Sequence, residues 1–140
     1  MKICFVCLGN ICRSPMAEFI LKSMQPDSWE IASRATSNWE HGNPMHQGTQ
    51  KILNQHKIQW DPQKRSQRIS AGDFQYFDKI YAMDEANVAD LLKMATPGTE
   101  SKIRKLLSKD VPDPWYTGDF EETFQLIQQG CKKIMLENLT

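Results

Sequence analysis

A short apolar run, Ile3 to Val6, leads at once into Cys7-Leu8-Gly9-Asn10-Ile11-Cys12-Arg13-Ser14, and Pro15-Met16-Ala17-Glu18 follows. Residues 2–6 (KICFV) are apolar on both faces, which suits a central parallel strand covered on both sides. The segment beyond the eight residues has helix-start chemistry. Ser14 fits an N-cap, Pro15 fits the first helical position, and Glu18 lies close to the first turn. A strand, a tight loop and a helix N-terminus in that order make an anion site. The amides of Leu8, Gly9, Asn10, Ile11 and Cys12 point inward, and the helix start adds roughly half a positive charge. Gly9 allows the backbone close to an anion, and Asn10 tolerates a left-handed conformation.

The rest of the chain alternates strands with helices. The spacing of Ala17, Ile20, Leu21 and Met24 predicts a helix from about Ser14 to Met24, ended by Pro26-Asp27. A short strand is expected at Trp29–Ser33, then a polar loop from Arg34 to Pro44. A helix from about Met45 to His56 turns Ile52 and Leu53 inward. Residues 57–72 read as irregular, Asp73–Phe77 as a helical turn and Lys79–Met83 as a strand. Asp84 caps a helix through Met94 with Val88, Leu91 and Leu92 on one face, and Pro97-Gly98 makes a turn. Lys102–Leu107 reads as a last strand. It leads into Val111-Pro112-Asp113-Pro114-Trp115-Tyr116, where the prolines argue against a helix or a central strand. The final helix, about Phe120 to Leu139, carries Phe124, Ile127, Cys131, Ile134 and Met135 at helical spacing. This alternation implies a single α/β domain over residues 1–140, with a parallel sheet and right-handed crossovers. Such sheets bind ligands at the carboxyl ends of their strands, so the Cys7, Asp84 and Asp113 loops should converge there.

Cys7 enters the loop and Arg13 leaves it, the C-x5-R spacing of a nucleophile and an anion clamp. Arginine forks two N–H bonds onto two oxygens of one phosphoryl group. Inward amides, the helix start and Arg13 favour the thiolate form of Cys7, and the Ser14 hydroxyl is placed to donate to the sulfur. A thiolate attacks phosphorus well while the cradle holds the equatorial oxygens. The departing oxygen then needs a proton, and Asp113, in a proline-stiffened loop followed by aromatics, is the expected acid. Trp115 and Tyr116 are placed to wall a slot for a flat ring. Asp84 reads as a helix cap that also orients Arg13 from the neighbouring strand end. The chemistry requires no cofactor and no metal.

Charge balances at 17 residues of each sign, so nothing points to nucleic acid. No apolar run approaches a membrane span, and the N-terminus has no signal-peptide pattern, so a cytoplasmic location is expected, with export by an unconventional route left open. Four cysteines fit a reducing compartment better than a disulfide framework. Cys4 and Cys131 read as core. Trp29 and Trp60 read as packing residues. His41, His46 and His56 read as surface or loop residues, and the charges of Lys102–Lys109 as a solvated face.

The stretch V-C-L-G-N-I-C-R-S-P-M-A-E resembles the low-molecular-weight protein-tyrosine phosphatases. So do V-P-D-P-W-Y, S-R-A-T-S-N-W-E-H-G-N-P (33–44) and Y-A-M-D-E-A-N (81–87). The resemblance implies a four-stranded parallel sheet flanked by helices on both faces and a phosphocysteine intermediate. It implies Cys7 as nucleophile, Arg13 as phosphate clamp and Asp113 as acid, with Asn10, Ser14 and Ser33 in a network that holds the loop. Trp39 stands where the family has an aromatic wall, and Trp115 where it often has tyrosine. The family also implies a reversible Cys7–Cys12 disulfide, with loop filler the plainer reading of Cys12. Animal-type members carry a histidine near position 64, where this chain has Lys64, and often A-R-Q where it has Ser66-Gln67-Arg68. Phosphotyrosine proteins are the implied partners, and phosphate, sulfate or vanadate the implied site ligands. Weak self-association through the active-site face is open.

Three rival readings are distinguishable. Protein-arginine phosphatases of the same fold tend to carry threonine where this chain has Ile11, and a bulkier apolar Ile11 favours an aromatic ring. An arsenate reductase needs a mobile cysteine pair near residues 80–90, which is absent. A binding module without turnover would not need both Cys7 and Asp113.

Overall fold

The structure is a computed structural model describing residues 1–25 and 28–138. The expected helix stop at Pro26-Asp27 and the last residues of the chain lie outside the described residues. Its elements are β1 (Lys2–Cys7), α1 (Arg13–Met24), β2 (Glu30–Ala35), α2 (Gln47–Gln55), α3 (Ala71–Tyr76), β3 (Lys79–Ala82) and α4 (Glu85–Met94), then β4 (Ile103–Lys105), α5 (Pro114–Thr117) and α6 (Phe120–Glu137). The four strands form one all-parallel sheet in the order β2-β1-β3-β4. β1 is central, and the chain leaves it first to one side for β2 and later to the other for β3. That reversal opens a crevice at the carboxyl end of β1, where ligands bind in such sheets.

Strand alternation divides the core into two layers. Ile3, Phe5 and Cys7 of β1 join Tyr81 and Met83 in the larger cluster, with residues of α1, α2 and α6. Cys4 and Val6 face the other way with Ile80, Ala82, Phe74, Phe77 and Leu91, under α3 and α4. Helices therefore cover both faces. α1 is buried through all of its first nine residues because it lies between the sheet and α6.

Several expectations shift in detail. β2 runs two residues past the expected end, to Ala35, which pairs with Cys7. β4 is only Ile103–Lys105, preceded by a 3₁₀ turn at Glu100–Lys102. In α4, Leu91 is buried but Leu92 is half exposed, so the apolar face is narrower than its spacing suggested. The prolines at 112 and 114 do not exclude a helix: Pro114 opens α5 as its first residue, with Asp113 as N-cap. That position needs no amide, and the fixed proline φ suits it. α3 begins two residues earlier than expected, because Ser70 and Asp73 form a reciprocal capping box. His46 is the N-cap of α2, accepting from the Gly48 N–H, and stacks on Phe120. His56 stacks on Phe124 at 3.8 Å between ring centres. Lys102 and Lys105 do more than face solvent: the first donates to the Phe74 carbonyl, the second to Glu85 and Asp110. Trp29 and Trp60 pack against the core, where Cys4 and Cys131 are fully buried. No helix among the described residues is long and apolar enough to cross a membrane.

Candidate active site

The loop after β1 is held open from outside. Its carbonyls are occupied one after another. That of Cys7 accepts from Thr36 N–H, Leu8 from the Ser37 N–H and hydroxyl, Gly9 from the Ser66 hydroxyl, Ile11 from His46 N–H, and Cys12 from Met16 N–H and Thr49 Oγ1. Carbonyls turned outward leave amides turned inward. The pivot is Asn10, at φ 57° in the left-handed region, which asparagine tolerates at low cost. Gly9 does not need that conformation. A Cβ there would meet the Glu40 side chain at 3.4 Å.

Cys7 Sγ lies at the focus of this curve. It accepts from Asn10 N–H at 3.3 Å and Ser14 N–H at 3.4 Å, and lies 3.1 Å from Ser14 Oγ. α1 starts one residue before the expected cap. Cys12 is the N-cap and makes no side-chain capping bond, so the first-turn amides are left to the pocket and Ser14 is free to serve the sulfur. Pro15 occupies the third helical position rather than the first, still within the turn where an amide has no helical partner.

Arg13 is 3% exposed. Its Nη1 donates to Asp84 Oδ2 at 2.7 Å and to the Val111 carbonyl at 3.0 Å, and its Nη2 lies 3.4 Å from Asp113 Oδ2. Nε is buried without a partner. Burial disfavours the guanidinium charge, but Cys7, Asp84 and Asp113 outweigh it and hold the arginine above its ordinary pKa. Asp84 makes both of the contacts expected of it: Oδ2 accepts from Arg13, and Oδ1 accepts from Asn87 N–H at 2.8 Å and caps α4. Asp113 is brought in because Val111 N–H donates to the Met83 carbonyl at 2.9 Å, tying its loop to the end of β3. Asp113 Oδ1 accepts from Trp115 N–H at 3.0 Å.

One cavity of about 230 Å³ is lined by Cys7, Leu8, Gly9, Ile11, Cys12 and Arg13 at its base, and by Trp39, Glu40, Asp113, Trp115 and Tyr116 above. Trp39, Trp115 and Tyr116 are 76%, 57% and 79% exposed, so they form walls and rim rather than core. Burial first, then the nearby Cys7 and Asp113, push the Cys12 thiol up to about 12. Cys4 and Cys131 are raised by burial in the core, outside the cavity. None of the four cysteines is in a disulfide.

Behind the loop, Asn10 Nδ2 donates to Ser14 Oγ at 2.8 Å and to Ser33 Oγ at 2.9 Å, while its Oδ1 accepts from Gln67 N–H. Lys64 reaches this neighbourhood too, donating to the Ser33 carbonyl at 3.0 Å. Sequence reasoning missed Glu40 in the pocket wall and Glu18, which accepts from the Ser33 hydroxyl at 2.6 Å. A carboxylate on the inward side of a helix was the available signal for Glu18. Among the described residues, no group of three or more His, Cys, Asp or Glu side chains is placed to hold a metal ion.

A family model described as low molecular weight phosphotyrosine protein phosphatase matches residues 2–140. The chain is 42% identical to the low molecular weight protein-tyrosine-phosphatase YfkJ of Bacillus subtilis, across 96% of this chain and 94% of that protein. The solved SP-PTP, a low molecular weight protein tyrosine phosphatase from Streptococcus pyogenes, superposes with a TM-score of 0.96 at 52% identity, covering 99% of this chain and 93% of that one. A solved drosophila arginine phosphatase, DARP, superposes with a TM-score of 0.92 at 32% identity, covering 100% of this chain and 99% of that one.

Proposed function

Because the chain belongs to the low molecular weight phosphotyrosine protein phosphatase family, we propose that it hydrolyses phosphotyrosine in proteins through a phosphocysteine intermediate on Cys7. The observation that carries this reading is the focus of two amides and a hydroxyl on the Cys7 sulfur, in one cavity with Arg13 and Asp113.

The phosphoryl oxygens sit in the amide cradle, and Arg13 supplies Nε and Nη2 as a fork. Cys7 Sγ attacks phosphorus from the base of the cavity. The S–P bond forms as the P–O bond to the tyrosine ring breaks, and protonated Asp113 gives its proton to the departing phenolate oxygen. Asp113, now a carboxylate, accepts a proton from water as that water attacks the phosphocysteine. The P–S bond breaks, phosphate leaves and the thiolate is restored. The cradle stabilises the equatorial oxygens in both steps. Trp39, Trp115 and Tyr116 flank the ring, and Ile11 closes the slot beside it. Phosphate, sulfate and vanadate are anions of the shape that the cradle accepts.

Phosphoarginine is the second reading, favoured by the likeness to the drosophila enzyme. Ile11, an apolar contact in the slot, argues for the ring. Initial rates on a phosphotyrosine peptide and a phosphoarginine peptide, for the parent and for Ile11→Thr, separate the two. Preference for phosphotyrosine that moves toward phosphoarginine in the variant supports the proposal. Parental preference for phosphoarginine keeps the Cys7–Arg13–Asp113 chemistry and overturns the substrate. Bound phosphate with no turnover of either overturns the reaction.

A further inference from the structure

Trp115 and Phe120 straddle the turn between α5 and α6, and the ring of His46, at the head of α2, lies against both. The imidazole stacks on Phe120 with ring centres 5.2 Å apart and planes 22° from parallel. It meets Trp115 edge-on, at 5.5 Å and 81°. Aromatic pairs at these separations prefer such arrangements, so each contact favours one placement of its partner. Gly48 makes room for the stack, because a Cβ there would run into the Phe120 ring. His46 is half-buried and is not part of the cavity lining. It acts on the site only through what it touches.

Two hydrogen bonds fix this residue and connect it to the base of the site. Nδ1 accepts from the Gly48 N–H at 2.9 Å, so the contact that caps α2 also orients the ring. The His46 backbone N–H donates to the Ile11 carbonyl at 2.9 Å. Ile11 belongs to the base of the cavity and Trp115 to its wall. One residue therefore holds the base with its backbone and the wall with its ring. Trp115 has need of that support. Its indole is 57% exposed, and its backbone belongs to a helix of four residues, too short to be stable by itself.

We infer that His46 is the positioning residue that sets the spacing between Ile11 and the Trp115 indole, and so fits the slot to a flat ring. The inference rests on the reading of this cavity as a phosphotyrosine site and names what shapes its selectivity. A bare phosphate occupies the amide cradle and the Arg13 fork, below the wall. A phosphorylated ring extends upward between Ile11 and Trp115. His46 therefore governs the affinity for the ring and not the affinity for the anion.

Two substitutions separate the ring from the cap, and both keep the backbone N–H. His46→Asn retains a side-chain acceptor suited to a helix N-cap and removes the ring. His46→Phe retains a flat ring and removes the acceptor. The readouts are the Kd of phenylphosphonate, the Kd of inorganic phosphate and the melting temperature. His46→Asn should weaken phenylphosphonate about three- to tenfold, the worth of an edge-on aromatic contact, with phosphate within about twofold and the melting temperature near the parent's. His46→Phe should bind both ligands as the parent does and melt about 3–4 °C lower, for the lost cap. A parental phenylphosphonate Kd in His46→Asn overturns the inference. So does an equal loss for phosphate, which would place the effect in the cradle, and so does an equal phenylphosphonate loss in both variants, which would assign it to the cap. A purely structural role lowers the melting temperature without changing the ratio of the two Kd values. Neither ligand is turned over, so a parent that prefers phosphoarginine in the rate assay overturns the substrate while the Kd ratio still decides the role of His46.

Discussion

Asp84 serves two helices with two oxygens, and a pair of substitutions separates them. Its Oδ2 accepts from Arg13 and its Oδ1 from Asn87 N–H. Asparagine has one carbonyl oxygen, so Asp84→Asn keeps the α4 cap or the arginine contact but not both, and it abolishes the charge pair. Asp84→Ala loses everything. Removing one partner of a fully buried pair costs about 3–5 kcal/mol. Here the Asp84 side chain is 20% exposed, and Arg13 retains Val111 and Asp113. The smaller value of a charged hydrogen bond, about 1.5–3 kcal/mol, is therefore the appropriate one for Asp84→Asn. The alanine variant loses about 1 kcal/mol more with the cap. For a domain of this size each kcal/mol moves the melting temperature by about 3–4 °C. Thermal melts should then place Asp84→Asn roughly 5–10 °C below the parent, with Asp84→Ala a further 3–4 °C down. Phosphatase assays should find kcat/KM reduced by about 10- to 100-fold in both, because the released guanidinium no longer presents its fork. Unequal melting with equal activity loss is the signature. An Asp84→Asn protein with parental kcat/KM would refute the reasoning and leave Asp84 a helix cap only.

Three further outcomes are expected. Asp113→Ala should slow hydrolysis of phosphotyrosine by about 100-fold or more and p-nitrophenyl phosphate much less, since the activated phenolate leaves without a proton; equal losses on both remove Asp113 from the acid role. Iodoacetamide at pH 7 should add one group to the protein, on Cys7, and phosphate should block it. Cys12, pushed up to about 12, and the buried Cys4 and Cys131 stay protonated thiols at that pH, and mass spectrometry finding label on any of the three first would contradict this. Gly130→Ala places a Cβ 2.4 Å from Leu106 Cγ. Overpacking of about 1–3 kcal/mol should exceed the roughly 1 kcal/mol of helix propensity gained, and the melting temperature should fall rather than rise.

Much of this fold was legible because its signals are local. The apolar run into Cys7, the helical spacing of α6, and Asp84 at the head of α4 each sit within one turn or one strand. The α5 turn was misread because the two prolines were weighed as breakers throughout. Only their position relative to Asp113 makes the second a helix starter. Leu92 was misassigned for a different reason: α4 meets the sheet along a narrow stripe, and how wide a stripe is buried depends on what covers it.

The support behind the loop was less legible, and the reason is general. The carbonyls of residues 7, 8, 9, 11 and 12 are held by Thr36, Ser37, Ser66, His46 and Thr49, with Met16 alone close in sequence. None of those residues belongs to a repeating pattern, and each contributes no more than an amide, a hydroxyl or both from outside the loop. Glu18 and Lys64 are farther removed, meeting the Ser33 hydroxyl and carbonyl rather than the loop itself. The groups that touch phosphate must have particular chemistries, so their types and spacing can be recognised in a sequence. The groups that aim them need only one donor or acceptor in the right place, which many residue types supply. A site of this kind is therefore read first at its reacting atoms, and its orientation has to be taken from the folded chain.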